Sequence, residues 1–188
     1  SERASHPGDE QYSTRPSMDT AVTLFLAEQA PELAQAHDEL YPERLPENIP
    51  LSITLLYPFA PREELTADEL RMLRRFSASR RPLSFDIARV AQWKTGSRAV
   101  YGVPEPEEPL RSTMRALWEL FPEYPPYGGA DDPPPHASLT LVGGDATLAD
   151  VEARLQGILP AHFDVQEAVL MEEHRPDVWS VRETFPFG

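Results

Sequence analysis

Two stretches of the chain, "NIPLSITLLYPF" at residues 48–59 and "PPPHASLTLV" at residues 133–142, follow one design. Each has a proline-rich approach and then a run in which hydroxyl residues alternate with apolar ones. Alternation of period two marks a half-buried strand, because successive side chains point to opposite faces of a sheet. Ser52 and Thr54 therefore share one face of the first run, and His136, Ser138 and Thr140 share one face of the second. Ile53, Leu55, Ala137, Leu139 and Leu141 are left for a core. A chain that uses the same pattern twice is expected to build two similar lobes whose motif strands meet about a pseudo-two-fold axis.

The segments around the motif strands support that expectation. "AVTLFLAE" reads as a buried strand and "PELAQAHDELYP" as a short helix with proline at each end. "REELTADELRMLRRFSAS" carries apolar residues at helical spacing, and "LSFDIARVAQW" and "RAVYGVP" read as strands joined by the turn-prone "KTGS". Further on come the helix "EPLRSTMRALWELF", the loop "PEYPPYGGADDPPP", the strand "HASLTLV", the helix "ATLADVEARLQGIL", and the strands "HFDVQEAVLMEE" and "DVWSVRETF". The order motif strand, helix, strand, turn, strand thus occurs twice, with "FDI" at 85–87 expected to answer "FDV" at 163–165 in the other lobe. The fold class expected is α+β and bilobal, each lobe an antiparallel sheet with helices around a central cleft. Residues 1–17 read as a polar tail, and residues 18–188 as one domain. Its lobes fall roughly at 20–104 and 105–188, with the termini free to exchange between them.

Composition narrows the function. The sequence has no cysteine, which removes disulfides and thiolate metal sites and suits a reducing compartment. A formal charge of −14 and a pI near 4.7 disfavour binding to long duplex nucleic acid, which draws its affinity from clustered lysine and arginine. No run of about twenty apolar residues is available to span a bilayer. The expectation is a soluble, cytoplasmic monomer without a membrane partner, and no histidine pair has the spacing of a zinc helix.

The shared faces carry chemistry. An imidazole titrates near neutrality and can give or take a proton, and hydroxyls can donate hydrogen bonds to phosphoryl oxygens without adding charge. A cleft floored by His136, Ser138, Ser52 and Thr54 suits in-line phosphoryl transfer.

"SITLLYPF", "FPEYPPYGG" and "PHASLTL" together resemble the 2H phosphoesterase superfamily, specifically its bacterial 2′-5′ RNA ligase-like proteins. The resemblance runs from about residue 20 to the closing "FPFG". Its hallmark is a His-x-Thr/Ser motif in each lobe. The second is present as His136-Ala137-Ser138, whereas the first stands as Ser52-Ile53-Thr54. What the resemblance implies is hydrolysis of a small 2′,3′-cyclic phosphate or a 2′-5′ phosphodiester without metal or other cofactor, one histidine acting as base and the other as acid. Ser52 occupies the place of the missing histidine and is expected to impair that activity. Three readings of Ser52 stay open: an introduced change, a natural turn to silent nucleotide binding or regulation, and natural chemistry that needs one acid or base.

Candidate ligand contacts follow from residue type. Tyr124 and Tyr127 could present rings to a base, against the alternative of packing on the lobe below. Tyr57 ends the first motif strand, at a rim or in the core. Arg182, on the last strand, is a phosphate-contact candidate if that strand borders the cleft. His6, His37 and His162 read as ordinary surface residues, while His174 sits at a turn from which it could stand in for the lost imidazole.

Overall fold

A computed structural model describes residues 18–188 other than 95, 97 and 141–145. The expected tail at residues 1–17 and part of the "KTGS" turn lie outside the described residues. The strands are β1 (Thr20–Phe25), β2 (Ser52–Leu56), β3 (Leu83–Gln92), β4 (Val100–Glu105), β5 (Ala137–Ser138), β6 (Ala161–Val165), β7 (Glu167–Arg175) and β8 (Val178–Pro186). The α-helices are α1 (Pro31–Leu40), α2 (Ala67–Ala78), α3 (Glu108–Leu120) and α4 (Leu148–Arg154).

Local chemistry sets several of these boundaries. At α2, the Thr66 hydroxyl accepts from the Glu69 backbone N–H while the Glu69 carboxylate accepts from the Thr66 N–H, a reciprocal capping box. Thr147 and Asp150 repeat the device at α4. Proline opens α1 at its first position, where a missing N–H costs no helical bond.

The eight strands form one antiparallel sheet in the order β6-β3-β4-β5-β2-β1-β7-β8, an α+β architecture with the motif strands β5 and β2 side by side at its centre. Each flank draws strands from both halves of the sequence: β3, β4, β5 and β6 on one side, β1, β2, β7 and β8 on the other. A division at residues 104 and 105 therefore separates β4 from β5, its neighbour in the sheet.

Two local expectations are corrected. "FDI" and "FDV" are not counterparts in separate lobes but hydrogen-bonded neighbours, Phe85 facing Phe163 across β3 and β6 with ring centroids 5.5 Å apart. Their likeness reflects two strands each supplying a phenyl ring to one layer of the core. "HFDVQEAVLMEE" is two strands, β6 and β7, which stand at the edge of one flank and inside the other with only Gln166 between them. Consecutive Cα atoms are about 3.8 Å apart, so that link requires the sheet to curl until its outer parts approach. The backbone N–H of Phe187 donates to the Gln166 carbonyl at 2.8 Å, fastening the chain end to the same point.

The core lies on the side of the motif strands away from their hydroxyls. Ile53, Leu55, Ala137 and Leu139 are buried there as the alternation requires. Burying a side chain such as Ile53 contributes about 1.5–3 kcal/mol, which fixes the register because a one-residue slip would turn the apolar set outward. Helix α3 packs on β2, and the Trp118 indole N–H donates to the Leu55 carbonyl at 2.9 Å.

Candidate active site

Strands β2 and β5 pair antiparallel with Ile53 opposite Ala137. One step along that ladder in each direction sets Ser52 opposite Ser138 and Thr54 opposite His136. All four line a cleft of about 310 Å³. Ser52 and His136 are thus diagonal across the ladder, each beside the hydroxyl residue of the other motif.

His136 is held on several sides. Its Nδ1 lies 2.8 Å from the Pro134 carbonyl, so Nδ1 carries the proton donated to that oxygen and Nε2 is the basic nitrogen of the neutral ring. Trp93 meets the imidazole edge-on with centroids 5.0 Å apart, Tyr101 lies at 5.7 Å and Tyr127 at 6.2 Å. The residue is only 3 % exposed, yet it borders the cleft. Thr140, expected on the same face, is diverted: its Oγ1 accepts from the Val100 N–H at 2.8 Å, because β5 ends at Ser138.

The Pro/Gly/Tyr loop that follows α3 delivers one tyrosine to the cleft. Arg111 and Arg115 both pair with Asp132, tying the far end of the loop to the helix before it. A short 3-10 turn at Pro126–Gly128 places Tyr127 in the left-handed region at φ 48°, and its N–H donates to the Tyr57 carbonyl at 2.7 Å. Tyr57 and Tyr127 both line the cleft, their rings 6.3 Å apart. Trp179 adds a third ring, 6.2 Å from Tyr57.

A paired histidine and hydroxyl set at the centre of one antiparallel sheet can be compared with known proteins. The family model of the 2′-5′ RNA ligase superfamily matches residues 26–177. The chain belongs to that superfamily. A Geobacillus kaustophilus protein bearing a phosphoesterase name is 26 % identical over 174 residues, spanning 91 % of this chain and 97 % of its own. Among solved structures, a Thermus thermophilus protein is similar with a TM-score of 0.62 at 24 % identity, covering 90 % of this chain and 98 % of that one. Escherichia coli LigT complexed with 3′-AMP is similar with a TM-score of 0.62 at 16 % identity, covering 91 % and 98 %. These likenesses place the chain in the 2H phosphoesterase fold.

Within the 2′-5′ RNA ligase fold, not every sequence candidate reaches the cleft. Tyr124 is outside its lining: the ring packs edge-on against Phe59 at 5.1 Å, and burial together with a hydrogen bond to Glu69 pushes its hydroxyl pKa up to about 12. Arg182 also lies outside, because it stands on the exposed edge strand β8 and pairs with Glu172 at 3.1 Å. His174 accepts from Arg62 at Nδ1, 2.7 Å away, and contacts Ser180 at Nε2, 2.5 Å away. Those contacts leave it away from the cleft lining, so it does not stand where the missing imidazole would.

Three lining residues carried no signal in the sequence. Asp177 and Trp179 come from the β7–β8 hairpin, whose approach to the cleft is a matter of tertiary folding. His37 comes from α1, where it reads locally as one polar helical residue among others. Asn48, Ile49 and Pro50, in the segment that enters β2, line the cleft as well. No helix among the described residues is long and apolar enough to cross a membrane.

Proposed function

We propose that this protein is a phosphoesterase that hydrolyses a small 2′,3′-cyclic phosphate or a 2′-5′ phosphodiester, with His136 as a proton-transfer group in the central cleft. The observation that carries the reading is the β2–β5 ladder, which gathers one imidazole with a fixed tautomer and three hydroxyls on one cleft face. Thr54, Ser138 and Ser52 are placed to donate hydrogen bonds to the non-bridging oxygens as charge grows on them, while Nε2 of His136 exchanges a proton with the water or the departing oxygen. A cleft of about 310 Å³ stands at the lower end of the range of about 300–1,000 Å³ found for small-molecule sites, a size for one nucleotide. LigT has been solved with 3′-AMP and with phosphate, and the shared fold supports a ligand of that kind here. Tyr57, Tyr127 and Trp179 supply the ring surface on which a base would stack.

The second reading is a nucleotide-binding protein without turnover, favoured by Ser52 itself. A serine hydroxyl can hold a phosphate or a water but cannot act as a base at neutral pH, and loss of one acid or base costs about a hundredfold to ten-thousandfold in rate. The two readings part on one measurement: turnover of nucleoside 2′,3′-cyclic phosphates and of a 2′-5′-linked dinucleotide by wild type and His136→Ala. Turnover abolished by His136→Ala is the expected result. Micromolar nucleotide binding with no turnover would transfer the assignment to the binding reading.

A further inference from the structure

The cleft contains a second imidazole that the motif pattern does not account for. His37 lines it together with Ser52, Thr54 and His136. Although α1 reads as a solvated helix at that end, the His37 side chain is 11 % exposed. Its Nδ1 lies 3.1 Å from Asp38 Oδ1, and Arg44 approaches the same carboxylate oxygen at 3.5 Å. The Arg44 Nη2 in turn donates to the carbonyls of Asn48 at 2.8 Å and Ile49 at 2.9 Å. Asn48, Ile49 and Pro50 line the cleft and lead straight into Ser52. His37 is therefore bound, through Asp38 and Arg44, to the wall that ends at the position lacking a motif histidine.

Electrostatics make the ring useful there. Among the described residues lining the cleft, His37 and His136 are the only side chains able to carry positive charge near neutrality, and Asp177 is the one carboxylate. With Nδ1 donating to Asp38, Nε2 of His37 carries the lone pair. Burial lowers the His37 pKa, with Arg44 acting in the same sense and Asp38 opposing it, so the ring is neutral at pH 7 and can accept a proton.

Resting on the phosphoesterase reading, we propose that His37 is the second proton-transfer group of the cleft, working with His136 in place of the imidazole absent at position 52. Neutral His37 takes a proton from the attacking water as the water oxygen bonds to phosphorus. The bond from phosphorus to one ribose oxygen breaks, and His136, which enters the step with Nε2 protonated from solvent, gives that proton to the departing oxygen. One water is consumed, one phosphomonoester is formed, and exchange with solvent returns both rings to their starting states.

The test is steady-state hydrolysis of 2′,3′-cyclic AMP by wild type, His37→Gln, Ser52→His, the double variant and His136→Ala, with circular dichroism and melting on each. His37→Gln should lower kcat by about a hundredfold with little change in KM. Ser52→His should gain less than about tenfold in the wild-type background but recover about a hundredfold in the His37→Gln background, since it restores a group only where one is missing. A merely structural His37 would not be rescued from position 52. Should His37→Gln melt early, His37→Asn and its pairing with Ser52→His make the same comparison.

If folded His37→Gln turns over within about threefold of wild type while His136→Ala is dead, the role assigned to His37 is wrong and the phosphoesterase reading stands. Failure of Ser52→His to recover rate in a folded His37 variant also overturns the role. A wild-type protein without turnover removes the phosphoesterase reading and the His37 role together.

Discussion

Trp93 meets His136 edge-on, their ring planes 85° apart and their centroids separated by 5.0 Å. Tyr101 packs tilted against the indole at 4.4 Å and itself lies 5.7 Å from the imidazole, so both rings limit its rotation along with the Nδ1 bond to Pro134. Positioned acids and bases lose rate when their geometry loosens. Trp93→Ala should therefore lower kcat on a cyclic nucleotide by about tenfold or more while leaving KM nearly unchanged. A matching rise in KM at constant kcat would show instead that the indole touches the ligand.

Tyr127 combines an unfavourable backbone with a placed ring. Its φ of 48° costs a non-glycine residue about 1–2 kcal/mol, which Tyr127→Gly relieves, but loss of the buried ring costs about 3–5 kcal/mol, so the variant should melt below wild type. The same change should raise KM for a nucleotide by about tenfold, since base–aromatic stacking contributes about 1–3 kcal/mol. Tyr124→Phe is the contrast, because that hydroxyl faces Glu69 outside the cleft and its removal should leave KM where it was.

Two histidines should titrate in opposite directions. His162 sits between Asp86 at 2.6 Å and Asp164 at 3.1 Å, and the bond to Asp86 first of all raises its pKa. Its contribution to stability is present below the unfolded value of about 6.5 and lost as pH rises through the raised folded value. His37 has a depressed folded pKa, so its contribution is present above about 6.5 and lost as pH falls through the lowered folded value. Melting followed against pH should show Asp86→Asn flattening the alkaline loss and leaving the acidic one. NMR titration of the two rings gives the same order directly.

Gly102, on β4 beside the second motif strand, has no room for a methyl group. A Cβ there would lie 2.9 Å from Ile87 Cγ2 and 3.7 Å from Ala137 Cβ. Gly102→Ala should destabilise the fold by about 1–3 kcal/mol through overpacking, read as a lower denaturant midpoint at constant m. Ile87→Ala, which removes the crowding Cγ2, should make Gly102→Ala cost less in that background than in wild type.

The sequence shows most clearly what is written in local periodicity. Ser52, Thr54, His136 and Ser138 could be assigned to one face because their neighbours Ile53, Leu55, Ala137 and Leu139 had to be buried, and the sheet divides them in that way. Tyr124 and Tyr127 could not be told apart, since the choice rests on a left-handed turn at one and a partner on α2 at the other. His37 was hidden for a related reason: nothing within a ten-residue helix tells which side will later meet the loop clamped by Arg44. "FDI" and "FDV" show the reverse error, where a real similarity of sequence reports contact between strands rather than correspondence between lobes.

The single residue Gln166 that joins β6 to β7 clasps the two flanks of the sheet together. A hinge that opened the cleft like a book would swing the two flanks apart about the β2–β5 spine, and the clasp would have to tear before the covers moved far. Admission of a ligand then depends on the segments that line the cleft without belonging to its spine: the β7–β8 hairpin tip, the segment before β2 and the Tyr127 turn. A change of chain length at those three places should alter which molecules enter, while the spine and its hydroxyls keep their spacing.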